Sequence, residues 1–246
     1  MRLLKTFACY FMLFAVFSGS TCPTTDDPLP PRLSAPSFTA MEVSSVKQGD
    51  RYHPALCMSW TPPPQDSNSV RFYYILRNAV NFNDTLYSIV RHSIPREITS
   101  YCDRIDQFGY PSDGIKEIGY RICALDTAGQ TGDTADVRSF FLAGPPFLQT
   151  PHADDTLNKN LFEWSMRGIF GQYRTFMLFW DSDTLLWKSV PESTYGGEKS
   201  DLFSAMLPDT LIDSLHPGTC HWGAKVEALS LPYQQSMDIR SLYVLE

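Results

Sequence analysis

Through most of the chain beyond residue 31, apolar and polar side chains alternate with a period of two residues. Residues Leu56 to Trp60 place three apolar side chains on one face of an extended segment, and residues Phe162 to Met166 do the same around Trp164. The 18 prolines and 14 glycines fall between such runs, where they favour turns. No segment beyond the N-terminus keeps the 3.6-residue period of a helix. The pattern therefore predicts an all-β fold of many short strands.

The first 22 residues follow a different pattern. Arg2 and Lys5 give a positive start, residues Phe7 to Phe17 form an apolar run, and small residues follow up to Cys22. This order is typical of a secretory signal, and the apolar run is too short to span a bilayer. Residues 23–31, with the sequence PTTDDPLPP, predict a flexible tether. We therefore expect an exported protein, located in the periplasm, on the outer surface or outside the cell.

Two processing routes remain open for this segment. A signal peptidase is expected to cut behind Ser18 or Ser20, whereas lipidation of Cys22 would anchor the chain as in a bacterial lipoprotein. The polar tether favours lipidation, while Thr21 and Gly19 depart from the usual lipoprotein pattern. Any membrane attachment is expected only through this N-terminal anchor.

An internal repeat predicts two domains. Ala124 follows Trp60 by 64 residues, and Ala228 follows Trp164 by the same 64 residues. Two further pairs of similar segments, 84–87 with 183–187 and 136–140 with 238–242, occur in the same order. Gly144-Pro145-Pro146 marks the boundary, so we predict domains at 32–144 and 145–246. The core positions expected from the alternation are Trp60, Ile122 and Ala124 in the first copy and Trp164, Val226 and Ala228 in the second.

The first copy resembles a fibronectin type III domain in four segments. They are Pro36 to Phe38, Trp60 to Pro64, Phe72 to Arg77, and Tyr120 to Gly129, which would be strands A, B, C and F with the F–G turn. The second copy matches more loosely through residues 162–164, 215–218 and 222–228. The resemblance implies two tandem immunoglobulin-like β-sandwiches.

The resemblance also implies a partner for one cysteine. Cys57 and Cys123 alternate opposite to their buried neighbours on strands of different sheets, so a bridge between them is not expected. Cys102 lies in the segment that would be strand E, next to strand B, and is the better candidate for a disulfide with Cys57. Two free surface thiols are the competing interpretation, and the one the residues favour slightly.

The net charge and the motif content of the sequence restrict the classes of partner and activity that we expect. The net charge of −7 disfavours nucleic acid and anionic lipid as partners. The sequence contains no His-Glu-x-x-His, Gly-x-Ser-x-Gly, Walker or dinucleotide-binding motif, and no Cys-x-x-Cys pair. We therefore expect no catalytic, cofactor or metal site, and a partner that is an unidentified protein or polysaccharide.

Aromatic side chains suggest one possible ligand surface. Tyr87, Trp180 and Trp187 are candidates for a platform on which sugar rings stack, although a structural role is the competing interpretation. Residues 173–180 are apolar on both faces, which predicts either a contact between domains or an exposed aromatic patch. The leading hypothesis is a non-catalytic surface binding or adhesion module. A carbohydrate-binding accessory protein and a structural spacer are the alternatives.

Overall fold

The alternating runs of the sequence form strands whose apolar side chains face inward. In strand β2 (Arg51–Thr61), Leu56, Met58 and Trp60 are buried, while Cys57 lies on the opposite face and is only partly buried. The period of two therefore sorts side chains between the core and the surface, as the sequence predicts.

The computed structural model describes most of the chain from residue 32 onward. The described residues are 32–64, 68–78, 87–109, 115–157, 160–166, 171–181, 184–196, 201–229 and 234–245. The predictions for the signal segment 1–22, the tether 23–31 and Cys22 lie outside these residues. The structure does not describe the side chain of Tyr87 either.

The first half of the described chain contains eight strands and a single helical turn. They are β1 (Ser37–Gln48), β2 (Arg51–Thr61), β3 (Val70–Asn78), β4 (Tyr87–Pro95), β5 (Ser100–Arg104), α1 (Ile105–Phe108), β6 (Ile115–Asp126), β7 (Thr131–Thr134) and β8 (Arg138–Ala143).

The second half of the described chain also contains eight strands and one helical turn, with six strands before the turn and two after it. It consists of β9 (Phe147–Thr150), β10 (Leu161–Met166), β11 (Gly171–Trp180), β12 (Leu185–Lys188), β13 (Glu192–Gly196), β14 (Asp201–Met206), α2 (Asp209–Ile212), β15 (Gly218–Ala228) and β16 (Gln234–Val244). Neither helical turn, nor any other helix in the described residues, has the length and apolar content needed to cross a bilayer.

Each half packs a three-stranded sheet against part of a larger sheet. The small sheets have the strand orders β1-β2-β5 and β14-β10-β9. The large sheet runs β12-β11-β15-β16-β8-β6-β3-β4, with β13 pairing β11 and β7 pairing β6. The predicted fold class, an all-β chain built from β-sandwich sheets, is confirmed.

Two hydrophobic clusters form the interior. The first lies between β1-β2-β5 and strands β3, β6 and β8 and includes Trp60, Ile122 and Ala124. The second lies between β14-β10-β9 and strands β11 and β15 and includes Trp164 and Val226. Each repeat therefore encloses its own tryptophan.

The halves are joined because β16 pairs in parallel with β8. Gln234 and Gln235 lie opposite Phe141 and Leu142, which makes the large sheet continuous. The backbone N–H of Val43 donates to Oε1 of Gln235 at 2.9 Å, so the hairpin formed by β1 and β2 is also attached to β16.

The β1–β2 hairpin covers this joint. The ring of Tyr52 stacks on Trp180 with the centroids 5.6 Å apart, and it meets the imidazole of His221 edge-on at 5.0 Å. Four side chains of the second half consequently belong to the first hydrophobic cluster: Phe176, Leu178, Trp180 and Met237. Residues 173–180, which the sequence shows to be apolar on both faces, thus contribute to the contact between the halves.

Residues Arg32–Glu246 consequently form one compact unit. The boundary expected at Gly144-Pro145-Pro146 falls in the connection between β8 and β9. The division into domains 32–144 and 145–246 stays a prediction, since the two clusters are separate but the large sheet runs through both halves.

Candidate binding surface

The most distinctive surface of the second half is the outer side of sheet β14-β10-β9. Alternation along β10 turns Phe162, Trp164 and Met166 into the second cluster, so Leu161 and Glu163 point outward. The same alternation along the other two strands turns both apolar and polar side chains outward.

Four apolar side chains on this outer side are exposed to solvent. Phe147 is 51% exposed, Leu161 37%, Leu202 61% and Met206 60%. We call this set the apolar face. Single exposed apolar residues are common on protein surfaces, whereas several on one sheet face are typical of an interaction site.

The strand register brings these four side chains together as two rows. Leu161 lies opposite Met206 on the neighbouring strand. Ser165 lies between Leu202 on one side and Phe147 on the other. Directly opposed side chains of an antiparallel pair are about 5 Å apart, so Leu161 and Met206 are within reach of each other, whereas Ser165 separates Leu202 from Phe147.

Glu163 lies between the two rows, opposite Ser204. Its side chain is partly buried. Among the residues that the structure describes, its carboxylate has neither an ion pair nor a hydrogen-bond donor. Glu163 therefore lies in the middle of the apolar face, between Ser204 and Thr150, and has no ionic partner among the described residues.

The equivalent surface of the first half is different. Strand β5, the counterpart of β14, points Ser100, Cys102 and Arg104 outward. Cys102 is bonded to Cys57, and Arg104 pairs with the Asp106 carboxylate. With Ser100 matched to Ser204, Cys102 takes the place of Met206, and Ile98, which is 47% exposed, takes the place of Leu202. The exposed pair of Leu161 and Met206 is therefore specific to the second repeat.

The disulfide candidate is present as a bond in the structure. Cys57 and Cys102 lie opposite each other on β2 and β5, with the Cα atoms 4.0 Å apart. The competing interpretation of two free surface thiols does not describe this pair. Cys123 and Cys220 are free and buried, and burial raises the pKa of the Cys123 thiol and raises that of Cys220 to about 12.

The predicted core positions are buried with one exception. Trp60, Ile122, Ala124, Trp164 and Val226 are at most 3% exposed. Ala228 is only partly buried, because it is the last residue of β15, where the strand leaves the sheet.

The predicted aromatic platform is not assembled. Trp180 is 5% exposed because it lies beneath the β1–β2 hairpin, so it is not available to a ligand, and its place in the platform was wrong. Trp187 is partly buried against the second cluster, opposite Phe179.

A contact between a serine and a histidine lies in the interior, where substrates do not reach it. Oγ of Ser241 lies 3.1 Å from Nδ1 of His221, but His221 is 1% exposed beneath Tyr52. Burial, and next the nearby Lys47, lower the pKa of His221. The described residues contain no group of three His, Cys, Asp or Glu side chains placed to hold a metal ion.

A shallow cleft of about 300 Å³ lies where the chain before β1 passes the β7–β8 connection. Residues 35–38 and 134–138 line it, and they include neither histidine nor cysteine. The polar side chains of this recess are those of Ser37, Thr134, Asp136 and Arg138.

A buried ionic contact ties together the two sheets of the first half. The Asp103 carboxylate, 1% exposed, accepts a hydrogen bond from the Tyr120 hydroxyl at 2.6 Å and pairs with Arg77. Burial, and next the Asp103 charge, raise the pKa of Tyr120 well above its ordinary value. Because these groups come from β3, β5 and β6, their role is structural.

The sequence prediction missed the apolar face. Leu202, Ser204 and Met206 alternate with inward-facing Phe203 and Ala205, so the strand itself was recognisable. The signal that the sequence offers is the presence of apolar residues on both faces of β14, with Leu202 and Met206 on one face and Phe203 on the other.

No protein-family model matches this chain, and no curated protein sequence matches it. Among solved structures, a β-1,2-glucanase from Parabacteroides distasonis is 20% identical over 46% of this chain, with a TM-score of 0.30. This chain spans only 13% of the glucanase chain. The chicken CNTN1 FN1–FN3 domains are 12% identical, covering 88% of this chain and 68% of that chain, with a TM-score of 0.32. At these values neither similarity bears on what this chain does.

Proposed function

We propose that this chain is a non-catalytic exported binding module that holds a protein partner on the apolar face. The observation that carries the proposal is the exposure of Phe147, Leu161, Leu202 and Met206 on one sheet. The first-half counterparts of Leu161 and Met206 are Cys57 and Cys102, which a disulfide joins. Surfaces of this composition are characteristic of protein interaction sites.

The side-chain types favour a protein over a polysaccharide. Sugars stack on flat exposed rings, whereas the apolar face has one ring, Phe147, and three flexible aliphatic side chains. Leucine and methionine adapt to the side chains of a protein partner. The carbohydrate-binding alternative therefore has less support, and a spacer does not require an apolar face at all.

A photo-crosslinking experiment in the source cells tests the proposal. A photoreactive amino acid replaces Ser204 in the centre of the face, and Ser100 at the corresponding place on β5 serves as the matched control. We expect protein adducts from position 204, few from position 100, and loss of the adducts when Leu202→Lys is added.

Equal adduct yields from the two positions would contradict the proposal. A glycan panel probed with the purified chain tests the alternative directly. Glycan binding that Leu202→Lys abolishes would assign the face to carbohydrate instead.

A further inference from the structure

We propose that the segment bound on the apolar face carries a lysine or arginine between two apolar side chains, and that this cation pairs with Glu163. The inference rests on the proposed function, because it specifies the chemistry of the partner at the same surface. It follows from the charge in the middle of the face.

Glu163 differs from Glu227, a partly buried glutamate on the large sheet. On β15, Glu227 accepts from Arg174 at 2.7 Å and pairs with Lys225 at 3.2 Å. Within the described ranges no cation or donor reaches Glu163. The residues opposite Glu163 on the two neighbouring strands are Ser204 and Thr150, which carry no charge, so the carboxylate is available to a cation from a partner.

A partner that covers both apolar rows also covers the carboxylate between them. Removing a carboxylate from water is strongly unfavourable unless an opposite charge or donors replace the water. A purely apolar partner would therefore bind poorly, and an acidic partner would be repelled. A cation at the centre of the partner segment removes this penalty and fixes its position.

A second copy of this chain does not meet the requirement. If two apolar faces met around a two-fold axis through their centres, Glu163 would face Glu163 of the other copy. The net charge of −7 adds repulsion between copies. The occupant is therefore a different, basic segment.

The spacing of the rows defines the segment further. Leu202 and Met206 are four residues apart on β14, and Glu163 lies opposite the midpoint. Four residues of a strand span about 13 Å. An extended segment with apolar residues at i and i+4 and a basic residue at i+2 matches this distance, as does a helix with apolar residues at i and i+8 and a basic residue at i+4.

A charge-exchange experiment tests the inference. Peptides that bind the purified chain, residues 23–246, are selected from a random display library, and the best one is synthesised with its central residue as lysine and as glutamate. Fluorescence anisotropy then measures both peptides against the chain, Glu163→Lys and the matched control Glu42→Lys, whose side chain points outward from the small sheet of the first half.

We expect the lysine peptide to bind the unaltered chain about tenfold more tightly than the glutamate peptide, the effect of roughly one charge pair at an interface. Glu163→Lys should reverse this preference, and Glu42→Lys should leave it unchanged. Thermal unfolding of each variant verifies that the fold is kept.

The outcomes separate this inference from the proposed function. If Leu202→Lys abolishes peptide binding but Glu163→Lys does not change the preference, the apolar face binds a partner and the inferred cation is wrong. If selected peptides bind equally well to Leu202→Lys, or if none binds, both the face and its cation are refuted.

Discussion

The disulfide between Cys57 and Cys102 allows a quantitative prediction of stability. Replacing both residues with serine opens a loop in which the bonded residues are 45 positions apart. The chain-entropy relation, −2.1 − 1.5R ln n, gives about 13 cal/mol/K for a loop of this length, or about 4 kcal/mol at 25 °C. We therefore expect the free energy of unfolding to fall by about 4 kcal/mol.

Equilibrium unfolding in urea provides the measurement. The unaltered chain is unfolded with and without a reductant, and the double variant Cys57→Ser/Cys102→Ser is unfolded under both conditions. The reductant should lower the midpoint of the unaltered chain towards that of the variant and should not affect the variant. The second comparison excludes an effect of the reductant on anything other than this bond.

Two results would refute the reasoning. If the free energy of unfolding fell by less than about 1 kcal/mol, the change would be far smaller than the loop-closure entropy predicts. The bond would then not restrict the unfolded chain in the expected way. Alkylation of both thiols in the native, unreduced protein would mean that the bond does not form.

Other parts of the structure give further expectations. Trp180→Ala should lower the free energy of unfolding by about 3–5 kcal/mol because it empties the joint between the halves, and the partly buried Trp187→Ala should cost about half as much in the same urea assay. Because the folded-state pKa of His221 lies below its ordinary value of 6.5, stability should fall as the pH drops through about 6.5. Melting temperatures at pH 7.5 and 5.5 should differ less in His221→Gln, and an unchanged difference would exclude this histidine as a cause. Buried Cys123 and Cys220 should resist alkylation until the chain unfolds, which mass spectrometry can follow during a urea titration.

The features that sequence reasoning could reach are those controlled by the period of two. Alternation assigns each side chain of a strand to one face, so the burial of Trp60 and the outward direction of Cys57 follow from a few neighbouring residues. The pairing of Cys57 with Cys102 needed one further assumption, that their strands are adjacent in the same sheet. The alternation of neighbouring residues, together with the assumption that two strands are neighbours, was therefore sufficient to predict these features.

The pairing that joins the two halves could not be predicted from the alternation of residues. The parallel pairing of β16 with β8 involves only two residues on each strand, Gln234 and Gln235 opposite Phe141 and Leu142. Glutamine in a strand carries no signal for a sheet-joining position. The burial of Trp180 depends on this joint, which explains why the sequence left its role open and why the aromatic platform was wrong there.

The repeat provides an internal comparison that a single domain cannot offer. Strands β5 and β14 occupy the same place in the two halves, so the fold imposes the same requirements on their outward side chains. In the first half the counterparts of Leu161 and Met206 are Cys57 and Cys102, which are joined by the disulfide. In the second half Leu161 and Met206 are exposed beside Glu163, which has no ion pair among the described residues. Since exposed apolar area contributes nothing to the stability of the chain that carries it, we infer that a partner covers this pair of side chains, which only the second half exposes.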